Sequence, residues 1–309
     1  MPKTFIIVNP VAGAGLGKKR WEKFSAELSQ AGLVFEYRFT EYPNHAGELA
    51  REALQAGWTR LGIFGGDGTL NDALQGIMKN DAPLTEDLKL VLLPTGSSCD
   101  FNKKFPDPKS PMERFLGEET WAVDIFKVEC IDFDGNPVTR YIFNNSSIGL
   151  ISLANEKYNT VSGLSKLIKQ ISVDAAAITA GVKALLVYEN ITGDMKIDEE
   201  ETRDVELCNL TVFKTPYFGG GMYYGVDVAQ DDGELTLALI EATSRWNVLS
   251  MIPALYTGTV FKREAARHRQ CRSFEISTRQ PVFVETDGEN IGCPPAQYSI
   301  LPQALKIVL

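Results

Sequence analysis

The sequence predicts an α/β protein with two domains, the first built on a parallel sheet and the second mainly antiparallel. Strand-like and helix-like patterns alternate over roughly the first 120 residues, which is typical of a parallel sheet with helices between its strands. After a proline-rich break at 105–111, β-branched and aromatic runs dominate. A chain of 309 residues also exceeds what one hydrophobic core usually organises. We therefore expect domains at 1–122 and 123–302.

The first domain is expected to be doubly wound, with helices on both faces of its parallel sheet. Short apolar runs predict its strands, and apolar residues at helical spacing, such as Trp21, Phe24 and Leu28, predict its helices. The expected strands are 4–8, 33–39, 60–64 and 88–94, and the expected helices surround 21–28, 45–57 and 69–79. Ligands of such sheets bind where the strands end.

The second domain is expected to be an antiparallel β-sandwich interrupted by two apolar helical stretches, at about 161–180 and 246–257. Turn signals such as Asp134-Gly135 separate its strand-like runs. Those runs are 121–129, 140–149, 183–189, 205–213, 234–240, 273–278 and 281–285. The last run of the chain, about 303–309, predicts one more strand, which could return to the first domain.

Charge and composition exclude several classes of function. The formal net charge of −9 gives no general attraction to nucleic acid. The five cysteines are scattered, and with only two histidines they argue against a structural zinc site and indicate a reducing cytoplasm. No segment has the length or apolarity of a signal peptide or a membrane span. The sequence thus predicts a cytoplasmic protein without a transmembrane segment.

The stretch GGDGTLND, residues 65–72, is the most informative part of the first domain. Asp-Gly between apolar runs can mark a β-hairpin, but helical spacing after it favours a strand, a glycine loop and a helix. Such a loop offers backbone N–H groups to a phosphate. Asp67 would repel that phosphate unless a cation, usually Mg²⁺, or a network of donors lies between them.

A second glycine-rich stretch, NPVAGAGLGKK at 9–19, follows the first expected strand. It is not a Walker A loop, because Ala12 and Lys19 stand where that loop needs glycine and serine or threonine. Nor does it fit the dinucleotide fingerprint, since Lys18 takes the place of the third glycine. Alone, it would be an ordinary turn between a strand and a helix.

Taken in order, the blocks resemble the catalytic domain of the diacylglycerol kinase family, which includes bacterial soluble lipid kinases and is related to sphingosine and ceramide kinases. The blocks are NPVAGAG, GGDGTLND, LPTGSSCDF, GGGMYYGVDVAQDDGELTLAL and VETDGENIGCPPAQYSILPQALKIVL. The GGDGT motif alone also occurs in NAD kinases and phosphofructokinases, so the resemblance implies that fold for the first domain. It implies an ATP- and Mg²⁺-dependent kinase that phosphorylates a lipid hydroxyl at a membrane surface.

The resemblance also implies a role for individual residues. The ATP-binding positions are Asn9, Gly13, Thr40, Gly65, Gly66, Asp67, Gly68, Thr69, Asn71, Ser97 and Asp100. Asp287 falls where the family places the general base for the acceptor hydroxyl, with Glu289 beside it. Asp232, together with backbone oxygens near Asp227 and Gln230, falls on a structural Mg²⁺ site.

The third block departs from the family pattern G-T-x-N-D-F. Cys99 stands where the family has asparagine, while Ser97 keeps a hydroxyl and Asp100 keeps the carboxylate. A thiol is a much weaker hydrogen-bonding group than an amide. Two alternatives stay open: a NAD kinase-like enzyme, which would share the GGDGT loop, and a nucleotide-binding relative whose catalysis is altered or lost, which the change at Cys99 motivates.

A basic segment near residues 261–272 has two interpretations. It carries five lysines and arginines and one glutamate. It could attach the protein peripherally to an anionic membrane, or it could be the solvated face of a helix. The sequence leaves the acceptor lipid and the oligomeric state open, a homodimer included.

Overall fold

The structure is a computed structural model that describes residues 3–96, 99–105, 109–159, 179, 181 and 183–308. The chain forms two compact units, Met1–Ile125 with Leu301–Leu309, and Phe126–Ile300. The α/β class and the strand-rich second half predicted from the sequence are confirmed. No helix within the described ranges is long and apolar enough to cross a membrane.

The sheet of the first unit is parallel. Its strands are β1 (Thr4–Val8), β2 (Phe35–Phe39), β3 (Arg60–Gly65) and β6 (Lys89–Pro94). Between β3 and β6, the strands β4 (Met78–Lys79) and β5 (Ala82–Pro83) form a short separate hairpin. The strands lie in the order β6, β3, β1, β2, and the end of β18 (Glu289–Val308) pairs in parallel with β6. Both β1 and β3 are buried along their whole length, which explains their continuous apolar runs.

Helices and short turns connect these strands. They are α1 (Ala12–Gly15), α2 (Gly17–Gln30), α3 (His45–Gln55), α4 (Asp67–Ile77), a 3-10 turn (Asp100–Lys104) and α5 (Pro111–Leu116). The three longer helices, α2, α3 and α4, each bury one face. The buried face of α2 is the one predicted, with Trp21, Phe24 and Leu28 packed against Ile6 and Phe64 of the sheet. The four-residue α1 is a turn rather than a helix, because its two central residues are left-handed.

The second unit is built mainly from antiparallel strands. These are β7 (Thr120–Ile131), whose residues from Phe126 belong to this unit, β8 (Pro137–Ile142), β9 (Asn145–Gly149), β10 (Ile191–Ile197), β11 (Glu200–Phe213), β12 (Tyr217–Phe218), β13 (Met222–Tyr223), β14 (Leu235–Glu241), β15 (Ala266–Cys271), β16 (Ser273–Thr278), β17 (Val284–Thr286) and β18. The main order is β15, β14, β11, β10, β16, β18, and β9 lies between β11 and β17. Its helices include α6 (Leu150–Asn159), α7 (Arg245–Tyr256) and a 3-10 turn (Val260–Lys262), and residues 183–187 are helical as well.

One strand prediction in the second unit is wrong. The run 183–189 was expected to be a strand, but residues 183–187 are helical. Ala184 and Leu185 are buried next to each other and Tyr188 is buried, while the two residues between are exposed. That spacing fits a helix and not the alternation of a strand. The expected helix at 246–257 is confirmed as α7, whereas 161–178 and 180 lie outside the described residues.

The basic segment is not a helix face. Half of it, residues 266–271, is β15, a strand at the edge of the sheet that pairs with β14 alone within the described chain. Arg267 forms an ion pair with Glu241, and Arg269 forms one with Glu200. Charged side chains on an edge strand oppose pairing with another chain, which explains this composition without a membrane.

Candidate functional site

The end of β1 is connected to the glycine loop by side-chain hydrogen bonds. Asn9 Nδ2 donates to Thr69 Oγ1 at 2.9 Å, and Val11 N donates to Asn9 Oδ1 at 3.0 Å. At the neighbouring strand, Thr40 N donates to Val8 O at 2.9 Å. Asn9, Thr40 and Thr69 thus lie together where the parallel strands end, the edge at which such sheets bind ligands.

The GGDGT stretch forms a strand, a loop and a helix, so the prediction is confirmed and the hairpin alternative is wrong. Strand β3 ends at Gly65 and α4 begins at Asp67. A Cβ on Gly96 would lie 2.5 Å from the Cα of Gly66, so the two loops touch through their glycines. A Cβ on Gly68 would meet no atom of the described residues within 4 Å. No described residue would clash with a side chain at position 68, so the open space above Gly68 suits an approaching ligand.

Asp67 joins two of the predicted blocks. Its Oδ2 accepts from Asp100 N at 2.9 Å, and its Oδ1 accepts from Phe101 N at 3.1 Å. The aspartate in the glycine loop therefore lies in a donor network, one of the two surroundings that the sequence allowed. Asp100 itself is buried, and its Oδ1 lies 2.6 Å from Lys103 Nζ.

Asn71 lies farther along α4. Its Oδ1 accepts from Gln75 Nε2 at 3.0 Å, one turn later on the same helix. Ser97, the predicted nucleotide contact in the third block, lies outside the described residues.

Arg20 was not selected from the sequence, yet it connects the first and third blocks. Its Nη1 donates to Thr95 O at 2.6 Å. Gly13 lies beside this contact with a φ of 60°, and a Cβ there would be 2.4 Å from Thr95 O. Glycine is thus required at Gly13 by both its backbone conformation and its neighbours. No local pattern marked Arg20, because its acceptor lies 75 positions away.

The Cys99 thiol is a protonated group at neutral pH. Burial, followed by the negative charge of Asp67, raises the pKa of Cys99 to about 11. A thiol with so high a pKa is a poor nucleophile, in agreement with the absence of a base near it in the sequence. Its backbone is left-handed, with a φ of 45°, and its Sγ lies 3.9 Å from Gly65 O.

We expect Cys99→Asn to stabilise the protein, because asparagine tolerates left-handed backbone much better than cysteine. The expected gain is about 0.5–1 kcal/mol, together with a modest rise in turnover or a changed preference among lipid acceptors. Thermal denaturation and initial rates on several lipids measure both effects. A lower melting temperature than the wild type would contradict this account of the third block.

In the second unit, Asp287 is held in a tight turn directly after β17. Its φ is 45°, its N–H donates to Asn145 O at 3.0 Å, and its Oδ1 accepts from Asn145 N at 3.1 Å. Asn155 Nδ2 donates to Gly288 O at 2.6 Å on the other side of the turn. Glu289 begins β18 and is exposed. The predicted base is therefore aimed by two strands and a helix.

Glu285 is a second acidic residue of this turn that the sequence analysis missed. It is buried in β17, and its Oε1 accepts from Gly288 N at 2.5 Å. Burial, with a smaller contribution from the charge of Asp287, raises the pKa of Glu285 to about 8. The carboxyl is therefore mostly neutral at pH 7. The sequence signal that could have identified Glu285 is its place at the end of the apolar run 281–285.

Glu285 should make the free energy of unfolding decrease as the pH rises. Its pKa is raised in the folded state, so the folded protein holds a proton that the unfolded chain releases above about pH 4.5. The free energy of unfolding should fall by about 1.4 kcal/mol per pH unit between those two pKa values.

We expect Glu285→Gln to keep the bond to Gly288 N and to remove that slope. The variant should match the wild type near pH 4.5 and exceed it in stability near pH 8, in urea denaturation at each pH. Equal slopes in the two proteins would contradict the buried neutral carboxyl.

The predicted metal segment is connected to a lysine. Asp232 Oδ1 lies 2.7 Å from Lys214 Nζ and also accepts from Glu234 N at 3.1 Å. Gln230 Nε2 donates to Lys214 O at 2.9 Å and to Val228 O at 2.8 Å, while Asp227 is exposed. Within the described ranges, no three histidine, cysteine or acidic side chains come close enough to hold a metal ion. These residues do not fit Mg²⁺, because the carboxylate is already neutralised by an ammonium group.

Comparison with known proteins matches each half of the chain to a known domain family. Residues 3–128 match the diacylglycerol kinase catalytic domain, and residues 148–309 match the YegS C-terminal NAD kinase beta sandwich-like domain. A diacylglycerol kinase of Mycobacterium tuberculosis is 22% identical, over 99% of this chain and 94% of that protein. A diacylglycerol kinase of Staphylococcus carnosus is 24% identical, over 98% of this chain and 93% of that protein.

Solved structures share the fold over nearly the whole length. A crystal structure of a diacylglycerol kinase from Bacillus anthracis is similar with a TM-score of 0.69 and 20% identity, covering 99% of this chain and 96% of that one. A further crystal structure from the same organism has a TM-score of 0.75 and 22% identity, with 99% and 97% covered. At these identities the likeness shows the fold.

Proposed function

The chain belongs to the diacylglycerol kinase catalytic-domain family, and we propose that it is a lipid kinase that transfers the γ-phosphate of ATP to a lipid hydroxyl. The observation that carries the proposal is the glycine loop at the end of β3, with Asp67 anchored and Gly68 facing open space. The parallel strand order around that loop supports a doubly wound first domain. The named relatives support a diacylglycerol-like acceptor.

In this proposal the first unit binds ATP. The phosphates lie over the loop at residues 65–69, where the N-terminus of α4 presents backbone N–H groups and a positive dipole. Asn9 and Thr69 fix each other, and Asp67 holds the third block against the loop. Bound with the nucleotide, Mg²⁺ would supply further charge neutralisation at the phosphates.

The second unit supplies the base. Asp287 accepts the proton of the lipid hydroxyl as that oxygen attacks the γ-phosphorus, and Glu289 lies beside it in the chain. The left-handed turn and the two bonds to Asn145 fix the Asp287 carboxylate without help from substrate. Phosphoryl transfer depends mainly on such positioning and on charge neutralisation, so a preformed turn is well suited to it.

Because the acceptor is a lipid, the reaction takes place at a membrane or micelle surface, with the protein attached peripherally.

Incubation with γ-labelled ATP, Mg²⁺ and a panel of acceptors tests the function. The panel contains diacylglycerol, monoacylglycerol, a sphingoid base and NAD, each followed by identification of the product. Label in a lipid phosphate is the expected result. Label in NADP would establish the NAD kinase-like alternative, and no label in any acceptor would favour a relative that binds nucleotide without catalysis.

A further inference from the structure

Lys214 is a lysine whose side chain is completely buried in the second unit, with 0% exposed. It directly follows β11, and its Nζ lies 2.7 Å from Asp232 Oδ1 and 2.9 Å from Glu234 O. A buried ammonium group is costly unless an anion and further acceptors meet it. The segment 227–234 supplies both, so the lysine and this segment hold each other in place.

Three oxygens of this segment, Asp232 Oδ1, Val228 O and Glu234 O, accept from donors of the protein itself. Asp232 Oδ1 accepts from Glu234 N as well as from the ammonium group, and the amide of Gln230 donates to Val228 O and Lys214 O. Gln230 Oε1 is buried and has no hydrogen-bond partner within the described residues. One neutral acceptor of this kind suits a water molecule, whereas Mg²⁺ requires about six oxygens in an octahedron.

A magnesium ion on the Asp232 carboxylate would also stand next to the ammonium group. A single carboxylate cannot offset the charges of both Mg²⁺ and the ammonium group, and repulsion between these two cations is strong away from water. The resemblance implied that Asp232, with backbone oxygens near Asp227 and Gln230, holds a structural Mg²⁺. In this chain the Asp232 carboxylate is already paired with the Lys214 ammonium group.

We propose that Lys214 supplies the cation that fastens segment 227–234 to the end of β11, in place of a structural Mg²⁺ ion. The stability of the second unit is then independent of Mg²⁺, whatever the nucleotide requires. The proposal concerns stability and not turnover, so it stands or falls separately from the proposed reaction.

The ion pair also lies next to the support of Asp287. Lys214 N and Thr215 N both donate to Asn144 O, at 2.9 and 3.2 Å. The following residue, Asn145, exchanges two hydrogen bonds with Asp287. The backbone of Lys214 is thus connected, through Asn144 and Asn145, to the turn that carries Asp287.

Thermal denaturation of the full chain without nucleotide, in millimolar Mg²⁺ and again in EDTA, tests the proposal. The wild type should melt at the same temperature in both buffers. Lys214→Met should melt lower by on the order of 10 °C in both, since it leaves the Asp232 carboxylate without its cation. Lys196→Met is the matched control: Lys196 is part-exposed and pairs with the fully exposed Glu199 at 3.9 Å, so it should melt like the wild type.

Asp232→Asn provides a second measurement if the lysine variant does not fold. The asparagine keeps an oxygen for the ammonium group but removes the charge, so a lower melting temperature, equal in Mg²⁺ and EDTA, is expected. The proposal is overturned if EDTA lowers the melting temperature of the wild type by several degrees and Asp232→Asn abolishes that difference. It is equally overturned if Lys214→Met melts with the wild type.

Discussion

Asp287→Asn should lower kcat by about 10²–10⁴-fold, the usual contribution of a general base, while ATP binding and stability change little. The structure explains why the fold should tolerate this change. Asparagine accepts a left-handed backbone, and its oxygen can still accept from Asn145 N in place of Asp287 Oδ1. The variant loses the negative charge of the carboxylate and, with it, the ability to take a proton. Steady-state kinetics and a melting curve measure the two expectations together.

A matched control is available in the same unit. Asp134 precedes Gly135 in the exposed turn between β7 and β8, and Asp134→Asn should leave kcat unchanged. If Asp287→Asn retains turnover close to that of Asp134→Asn, Asp287 is not the base. If it loses turnover only because it unfolds, the melting curve shows this directly.

Asp67→Ala should reduce kcat/KM for ATP by about 10²-fold or more. The alanine removes two acceptors from the N–H groups of Asp100 and Phe101, and hydrogen bonds to a charged group are worth about 1.5–3 kcal/mol each. Without them the third block is no longer fixed against the glycine loop. Titration of a fluorescent ATP analogue should show weaker nucleotide binding alongside the loss of turnover.

Asp72→Ala is the control for this variant. Asp72 lies on the same helix, and its Oδ2 accepts from Ala46 N at 3.0 Å at the start of α3. Its loss should lower stability with little effect on the KM for ATP. If both alanine variants raise that KM equally, the effect belongs to the helix and not to the contact between Asp67 and the third block.

The first half of the chain could be predicted well because its signals are local. Continuous apolar runs indicate buried parallel strands, and the spacing of Trp21, Phe24 and Leu28 places the buried face of α2. The turns that end the strands carry the recognisable motifs. A loop motif and its flanking elements lie within a few residues of one another, so sequence alone can place them.

The parts that sequence reasoning missed depend on contacts between distant residues. Arg20 meets Thr95 75 positions away, and Lys214 meets Asp232 18 positions away. The burial of Glu285 follows from strands on both sides of β17, which no local pattern shows. The error at 183–189 has another cause, since a short apolar run fits a strand and a buried helix equally well.

The central claim is that the glycine loop and Asp287 together transfer phosphate from ATP to a lipid hydroxyl. The most direct test is the initial rate of ³²P transfer from γ-labelled ATP to diacylglycerol in mixed micelles, with wild type and Asp287→Asn side by side. We predict labelled phosphatidic acid from the wild type and about 10²-fold less, or lower still, from the variant. Equal labelling by the two proteins, or label in NADP but in no lipid, would contradict the account.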